Sequence, residues 1–152
     1  MPSQAEILYH LIVEIRGAFN DLKAYSDQAN ADLGITAATR AVLEYLTQNG
    51  PTAVPDIARA KNVSRQHIQQ LADGAVVAGL CSWRENPRHK RSQLLAITGE
   101  GTRRFAEIRK REAQALGDLV AGLDSAALDA SADTLARLRA ELARINGSQD
   151  QQ

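Results

Sequence analysis

Apolar residues near the start of the chain recur every three or four positions, which is the period of an amphipathic helix. Ser3 followed by Glu6 matches a capping box immediately before this run. The pattern predicts a first helix over residues 4–29. Its apolar side carries Ile7, Leu11, Ile15, Ala18, Phe19 and Leu22.

Shorter helical patterns follow between Thr36 and Gly79. Thr36 opens a second helix, which the run Asn49-Gly50-Pro51 stops. Pro55 fits the first turn of a third, short helix, because the N–H that proline lacks has no helical partner there. Ser64 is a good N-cap for a fourth helix, and Gly79 stands where a left-handed C-terminal cap is favoured.

The period changes from helical to extended after Gly79. Residues 80–85 and 92–97 are short enough for strands, and the intervening Asn86–Arg91 is a turn opener followed by basic residues. We expect the two strands to pair as an antiparallel hairpin. The remaining pattern predicts a fifth helix, capped by Thr98 and ending near Leu116, and a last helix that starts at Asp124 or Ser125.

Composition changes this picture little. The 152 residues suit one domain, and 44% hydrophobic with 24% charged residues is ordinary globular composition. No apolar run approaches a membrane span and the N-terminus lacks a signal-peptide pattern, so we expect a cytoplasmic protein without a membrane partner. Cys81 is the single cysteine and the three histidines are dispersed, which predicts no disulfide, metal or cofactor. We expect Cys81 to be a small half-buried residue rather than a reactive thiol.

The charge is balanced in total but unevenly distributed. Residues 1–60 contain 4 basic and 7 acidic residues, residues 61–111 contain 11 and 4, and residues 112–152 contain 3 and 7. Because electrostatic attraction decays over about 8 Å at physiological salt, a polyanion responds to the local excess of positive charge in the middle of the chain. A solvated helical face is the alternative explanation for this basic region.

The predicted order of helix, tight turn, helix and basic hairpin is that of a winged helix-turn-helix. The fold class is therefore mainly α with a small β-hairpin, to which N- and C-terminal helices are added. In such folds the second helix enters the major groove of DNA, and the hairpin, or wing, reaches the minor groove. The residues predicted to contact DNA are Ser64, Arg65, Gln66, His67, Gln69 and Gln70 in the helix and Arg88, His89, Lys90 and Arg91 in the wing.

Five segments of this region resemble motifs of the MarR family of transcriptional regulators, in the same order and spacing. They are Thr52–Ala58 (TAVPDIA), Val63-Ser64-Arg65, Gly79-Leu80, Asn86–Arg91, and the stretch SQLLAITGEG over residues 92–101. The resemblance implies a homodimer that binds a pseudo-palindromic operator on double-stranded DNA. It also implies a repressor, released in many members of the family by a small-molecule ligand.

The resemblance also implies that different regions of the chain have different roles. Residues 32–100 would form the DNA-binding lobe, residues 1–31 together with 101–147 the dimerisation region, and residues 148–152 a frayed polar tail. A small winged helix cannot cover the apolar surface of the last helices, which independently favours a partner chain. The predicted dimerisation residues are Leu11, Leu128, Leu135, Leu138 and Leu142, and the ligand-contacting candidates are Phe19, Tyr45 and Trp83.

The sequence departs from the MarR pattern at His89, where an Asp commonly stands two residues before the position that Arg91 matches. A histidine gains charge near pH 6 to 7, so wing binding is hypothesised to strengthen on acidification. Gly74 lowers the helix propensity of the fourth predicted helix, which is the one expected to enter the major groove.

No nucleophile elbow, phosphate loop or paired carboxylates appear, so an enzyme is not expected. The alternative function is a helical protein–protein interaction module, an adaptor or anti-regulator, on the same fold without DNA binding.

Overall fold

The computed structural model describes residues 1–149. Within them the chain forms helices and a small sheet, which confirms the predicted fold class. The elements are α1 (Gln4–Ala29), a 3-10 turn (Ala31–Leu33), α2 (Ala37–Asn49), β1 (Thr52–Ala53), α3 (Val54–Lys61), α4 (Arg65–Val77), β2 (Cys81–Arg84), β3 (Leu94–Ile97), α5 (Gly99–Val120) and α6 (Ser125–Gln149).

The chain divides into two compact units, Met1–Arg109 and Lys110–Gln152. The first unit contains α1 to α4, the sheet and the first half of α5. The second contains the rest of α5 and the described part of α6. The grouping of residues 1–31 with 101–147 as a dimerisation region remains a prediction.

The helix starts follow the predicted caps. Glu6 and Ser3 form the capping box: the Ser3 N–H donates to Glu6 Oε2 at 2.6 Å and the Glu6 N–H donates to Ser3 Oγ at 3.2 Å. Thr36 accepts the N–H of Thr39 at 3.2 Å, and Asp124 accepts the N–H of Ala127 at 3.2 Å. Each acceptor satisfies a backbone donor that the first helical turn leaves unpaired.

The connection between α3 and α4 is a tight turn. Asn62 adopts the left-handed conformation with φ 54°, which asparagine tolerates better than most residues, and Ser64 then caps α4. At the other end of α4, Gly79 has φ 73°. Its N–H donates to Val76 O, and the N–H of Leu80 donates to Ala75 O at 2.9 Å. This is a complete Schellman motif, which confirms the predicted left-handed cap at Gly79.

The sheet has three antiparallel strands in the order β1-β3-β2. The predicted hairpin of β2 and β3 is confirmed, with Trp83 opposite Leu95 and Cys81 opposite Ile97. Strand β1 was not predicted. Its two residues, Thr52 and Ala53, are too few to show the alternation that identifies a strand.

The core of the first unit lies between α2, α3, α4, the sheet and the start of α5. Gly101 is buried there against the start of β2, and a Cβ atom on Gly101 would collide with the backbone carbonyl oxygen of Leu80. The first turn of α5 can therefore approach the sheet only with a glycine at this position. Large side chains that are fully buried in this core include Leu43, Leu46, Ile57, Ile68, Leu80, Leu95 and Ile108.

Two helices run further than predicted. Helix α5 continues past Leu116 to Val120, and α6 continues through residues 148 and 149, which were expected to fray. The rest of the predicted tail, residues 150–152, lies outside the described residues. Among residues 1–149, no helix combines the length and hydropathy that a bilayer crossing requires.

Candidate nucleic-acid interface

Helix α4 has one buried side and one exposed side. Ile68, Ala72 and Ala75 face the core, as their spacing predicted. The predicted DNA-contacting residues all lie on the exposed side: Ser64, Arg65, Gln66, His67, Gln69 and Gln70. Because the buried side packs against the core, only the exposed side is accessible to a ligand.

A side-chain cap satisfies one backbone donor at the N-terminus of α4. Ser64 Oγ accepts the N–H of His67 at 3.1 Å. The first-turn N–H groups and the helix dipole make this end electropositive, and Arg65 adds a full charge beside it. An arrangement of this kind favours a phosphate oxygen.

The wing tip is shaped by two successive turns. Asn86 Oδ1 accepts the N–H of Arg88 at 3.0 Å, and Asn86 O accepts the N–H of His89 at 3.2 Å. The N–H of Ser92 then donates to His89 O at 3.0 Å. These bonds present four exposed side chains at the tip: Arg88, His89, Lys90 and Arg91.

The basic residues of α5 are in a different situation. Glu100 accepts two hydrogen bonds from Arg103 and one from Arg104, and these bonds lower the pKa of Glu100 to about 2. Arg104 also donates to the backbone oxygen of Leu33 at 3.1 Å. By contrast, no ion pair involves Arg88, Lys90 or Arg91 within residues 1–149. The wing tip therefore presents three cations within four positions, none of them in an ion pair in the described part of the chain.

Helix α4 and the wing meet in an open cleft of about 300 Å³. Gln69 from the helix and Arg91 from the wing both line it, although the sequence predicted them as parts of separate motifs. Trp83 forms part of the wall and also packs against the core. The other lining residues are Val54, Ser92 and Gln93. The structure thus brings a hydrogen-bonding amide and a cation to one surface.

A second open cleft, of about 330 Å³, lies between the wing and the segment that contains β1 and the start of α3. Arg88 and Asp56 line it together with Asn86 and Pro87. The exposed tip of the wing is therefore flanked by a cleft on the helix side and by another on the β1 side.

Sequence reasoning missed Asp73. Its Oδ1 accepts a hydrogen bond from Gln69 Nε2 at 2.9 Å on the exposed side of α4. The four-residue spacing of Gln69 and Asp73 was the available signal, because residues four apart are neighbours on a helix surface.

Cys81 is buried, with 3% of its surface exposed, and burial raises the pKa of its thiol to about 11. A thiol of this kind is unreactive near neutral pH, because the thiolate is the nucleophile. The residue is more deeply buried than the half-buried state predicted for it, and its small size suits the packed start of β2.

The predicted dimerisation residues lie on helices with large exposed apolar surfaces. No residue of α1 is buried, and Leu11 is half-buried there. On α6, Leu135 and Leu138 are half-buried, while Leu128 and Leu142 are exposed. Further exposed apolar side chains are Ile7, Leu8, Val13, Phe19 and Leu22 on α1 and Leu116, Leu119 and Val120 on α5.

The three predicted ligand-contacting aromatics have different surroundings. Trp83 lines the cleft between α4 and the wing, whereas Tyr45 packs against the core with Lys61 Nζ 5.8 Å from its ring centroid. Phe19 is 66% exposed on α1. Neither of the two clefts described in this part of the chain contains all three.

Comparison with known proteins finds both sequence relatives and similar structures. No family model matches the chain. Uncharacterized proteins of Mycobacterium tuberculosis and Mycobacterium bovis are each 37% identical to it over 105 residues, which is 69% of this chain and 73% of theirs.

Solved structures share this fold. The MarR family transcription regulator SP03579 is 28% identical, with a TM-score of 0.80 over 93% of this chain and 95% of its own. BpsR of Bordetella bronchiseptica, whose DNA binding is regulated by 6-hydroxynicotinic acid, is 22% identical, with a TM-score of 0.73 over 88% of this chain and 99% of its own. The architecture and these similarities agree, and the chain has the winged helix fold of the MarR family of transcriptional regulators.

Proposed function

We propose that the chain is a sequence-specific repressor that binds a pseudo-palindromic operator as a homodimer. One observation carries the proposal: Gln69 of α4 and Arg91 of the wing line the same open cleft. A duplex that places its major groove against α4 would also bring its backbone and adjoining minor groove to the wing.

Helix α4 would read the sequence. Arg65 and Gln66 stand in its first turn on the exposed side, where base edges come within reach. Arginine pairs with guanine and glutamine with adenine through two hydrogen bonds, each pair contributing about 1 to 3 kcal/mol of discrimination. The electropositive start of α4, at Ser64, would hold a phosphate and fix the register.

The wing would supply affinity. Arg88, Lys90 and Arg91 are exposed and form no ion pairs in the described part of the chain. An arginine inserted into a narrow minor groove gains from the enhanced negative potential there, independently of hydrogen bonds to bases.

The homodimer would cover the apolar faces that a single chain exposes. Helices α1 and α6 contain no buried residue within residues 1–147. Large exposed apolar patches are typical of an interface between chains. A two-fold dimer would present two copies of α4 to half-sites about 34 Å apart.

Release by a small ligand is the last part of the proposal. The regulation of BpsR by 6-hydroxynicotinic acid supports it by similarity. Phe19, Tyr45 and Trp83 are the aromatic residues proposed to contact such a molecule.

Selection of bound sites from random DNA tests the proposed function. We expect an inverted repeat with half-site centres about one helical turn apart, and an affinity that falls steeply with salt because phosphate contacts release counterions. Failure to enrich any sequence, together with a binding signal insensitive to salt, would favour the adaptor or anti-regulator function instead.

A further inference from the structure

Gln69 is the one glutamine on the exposed side of α4, among the described residues, whose side chain is held by a carboxylate. Its Nε2 donates to Asp73 Oδ1 at 2.9 Å, one helical turn further along. Gln70 has Gly74 at the equivalent position, and glycine offers no side chain. Of these two adjacent glutamines, Gln69 has a side-chain partner one helical turn further along and Gln70 has none there.

The hydrogen bond selects one orientation of the Gln69 amide. An ionised carboxylate only accepts hydrogen bonds, so the amide nitrogen faces Asp73. Rotation of the amide by half a turn would place Oε1 against Oδ1, and two acceptors repel each other. Gln69 consequently offers its Oε1 acceptor and its second N–H donor to the surroundings, with the nitrogen on the side of Asp73.

Gln69 lines the cleft that α4 shares with the wing, and Arg91 lines the same cleft. An acceptor and a donor side by side match the N6 amino group and N7 of adenine in the major groove. An amide held in this order before binding loses less conformational freedom on pairing than a rotating one.

We propose that Asp73 is a positioning residue for sequence readout, which fixes the amide of Gln69 so that it selects an A·T base pair in each half-site. This inference rests on the proposed DNA-binding function. The charge of Asp73 itself opposes a polyanion, and a carboxylate in the second half of a helix is unfavourable to the helix dipole. Its contribution to binding is therefore the hydrogen bond.

Two substitutions separate the hydrogen bond from the charge. Asp73→Ala removes both, whereas Asp73→Asn removes the charge and leaves an amide that can accept from Gln69 Nε2 or donate to Gln69 Oε1, so it weakens the selection of one orientation. Neither change endangers the fold, because Asp73 is exposed and alanine is the better helix former. Val77→Ala, at an exposed position of α4 outside the predicted DNA-contacting residues, is the control.

The experiment measures the affinity of the wild-type dimer and of each variant for the selected operator and for operators with single base-pair changes. Gln69→Ala is expected to reduce discrimination at one base pair per half-site by about tenfold. Asp73→Ala is expected to reduce it at the same base pair by about threefold, since the amide is present but no longer oriented. Asp73→Asn should reduce the preference at this base pair by less than Asp73→Ala does, and Gln69→Ala combined with Asp73→Ala should match Gln69→Ala alone.

A second readout does not use DNA. The side-chain N–H pair of Gln69, assigned by its disappearance in Gln69→Ala, should shift in the ¹⁵N–¹H spectrum of Asp73→Ala, in which the amide loses its partner, and should shift less in that of Asp73→Asn.

Three results would overturn the inference while leaving the proposed function intact. The first is that Asp73→Ala and Asp73→Asn change affinity equally for all sequences, which is the behaviour of a repelling charge. The second is that the effect of Asp73→Ala persists in the Gln69→Ala background. The third is that the selected half-site lacks an A·T pair whose recognition depends on Gln69. If the wild-type protein selects no sequence, the proposed function fails and the inference fails with it.

Discussion

The carboxylate of Asp27 accepts a hydrogen bond from the backbone N–H of Ala37 at 2.6 Å. Asp27 lies near the end of α1, and Ala37 is the first residue of α2. The bond therefore caps one helix with a side chain from the preceding one and joins the C-terminal end of α1 to the winged helix lobe. The hydrogen bonds from Ala37 and then from Lys23 lower the pKa of Asp27 below 3.8, its ordinary value.

This relationship predicts how stability depends on pH. Because the folded-state pKa of Asp27 is lowered, its stabilising effect is present above pH 4 and is lost as the pH falls through the folded-state value. Asp27→Asn should lower the melting temperature by a few degrees at pH 7 and flatten the loss of stability on acidification. Thermal unfolding from pH 7 to pH 3 measures both. Asp21→Asn, an exposed carboxylate of α1 without a hydrogen bond in the described residues, should change neither.

Gly101→Ala should destabilise the first unit by about 2 kcal/mol or more, because the added Cβ meets the carbonyl oxygen of Leu80 and must displace backbone. Gly99→Ala is the matched control in the same helical turn, since a Cβ there meets no atom within 4 Å. Urea unfolding of the two variants checks the difference. Equal midpoints would mean that α5 can move away from the strand without cost.

Arg91→Ala should weaken binding to all sequences by about tenfold and reduce the salt slope by about one, as expected for a lost phosphate-region contact. Gln66→Ala should instead change the preference among sequences. Affinities for operator and unrelated DNA at several salt concentrations distinguish the two. If Arg91→Ala left both the affinity and the salt slope unchanged, the assignment of the wing to DNA binding would be wrong.

Leu138→Asp should shift the protein from dimer to monomer by at least tenfold in dissociation constant, because it places a charge on the apolar side of α6. Ala140→Asp adds the same charge about 200° away around the helix and should leave the dimer intact. Sedimentation equilibrium measures both. A monomeric wild-type protein at all concentrations would contradict the homodimer.

The regular elements of the fold could be predicted because their signals are local. The capping box at Ser3, the cap at Ser64 and the left-handed Gly79 each depend on residues within one turn, and all three are present. Strand β1 could not be predicted, because two residues carry no period and Thr52–Ala53 becomes a strand only by pairing with Leu94 and Leu95.

The candidate site shows the same limit. The exposed residues of α4 and the wing could be assigned to a surface by periodicity and turn chemistry. The presence of Gln69 and Arg91 in one cleft could not be predicted, because it depends on how the hairpin folds back on the helix. The bond from Arg104 to the oxygen of Leu33 spans 71 residues and has no local signal at all.

The brevity of β1 has a consequence for the behaviour of the protein at high concentration. Outer strands with many unpaired backbone groups are templates for aggregation, and proteins restrain them by shortening or covering them. Here one margin of the sheet is a strand of only two residues, and α4 packs beside the strand at the other margin. The sheet therefore offers little backbone for stacking into fibrils, which favours a chain that stays dispersed when it is strongly expressed.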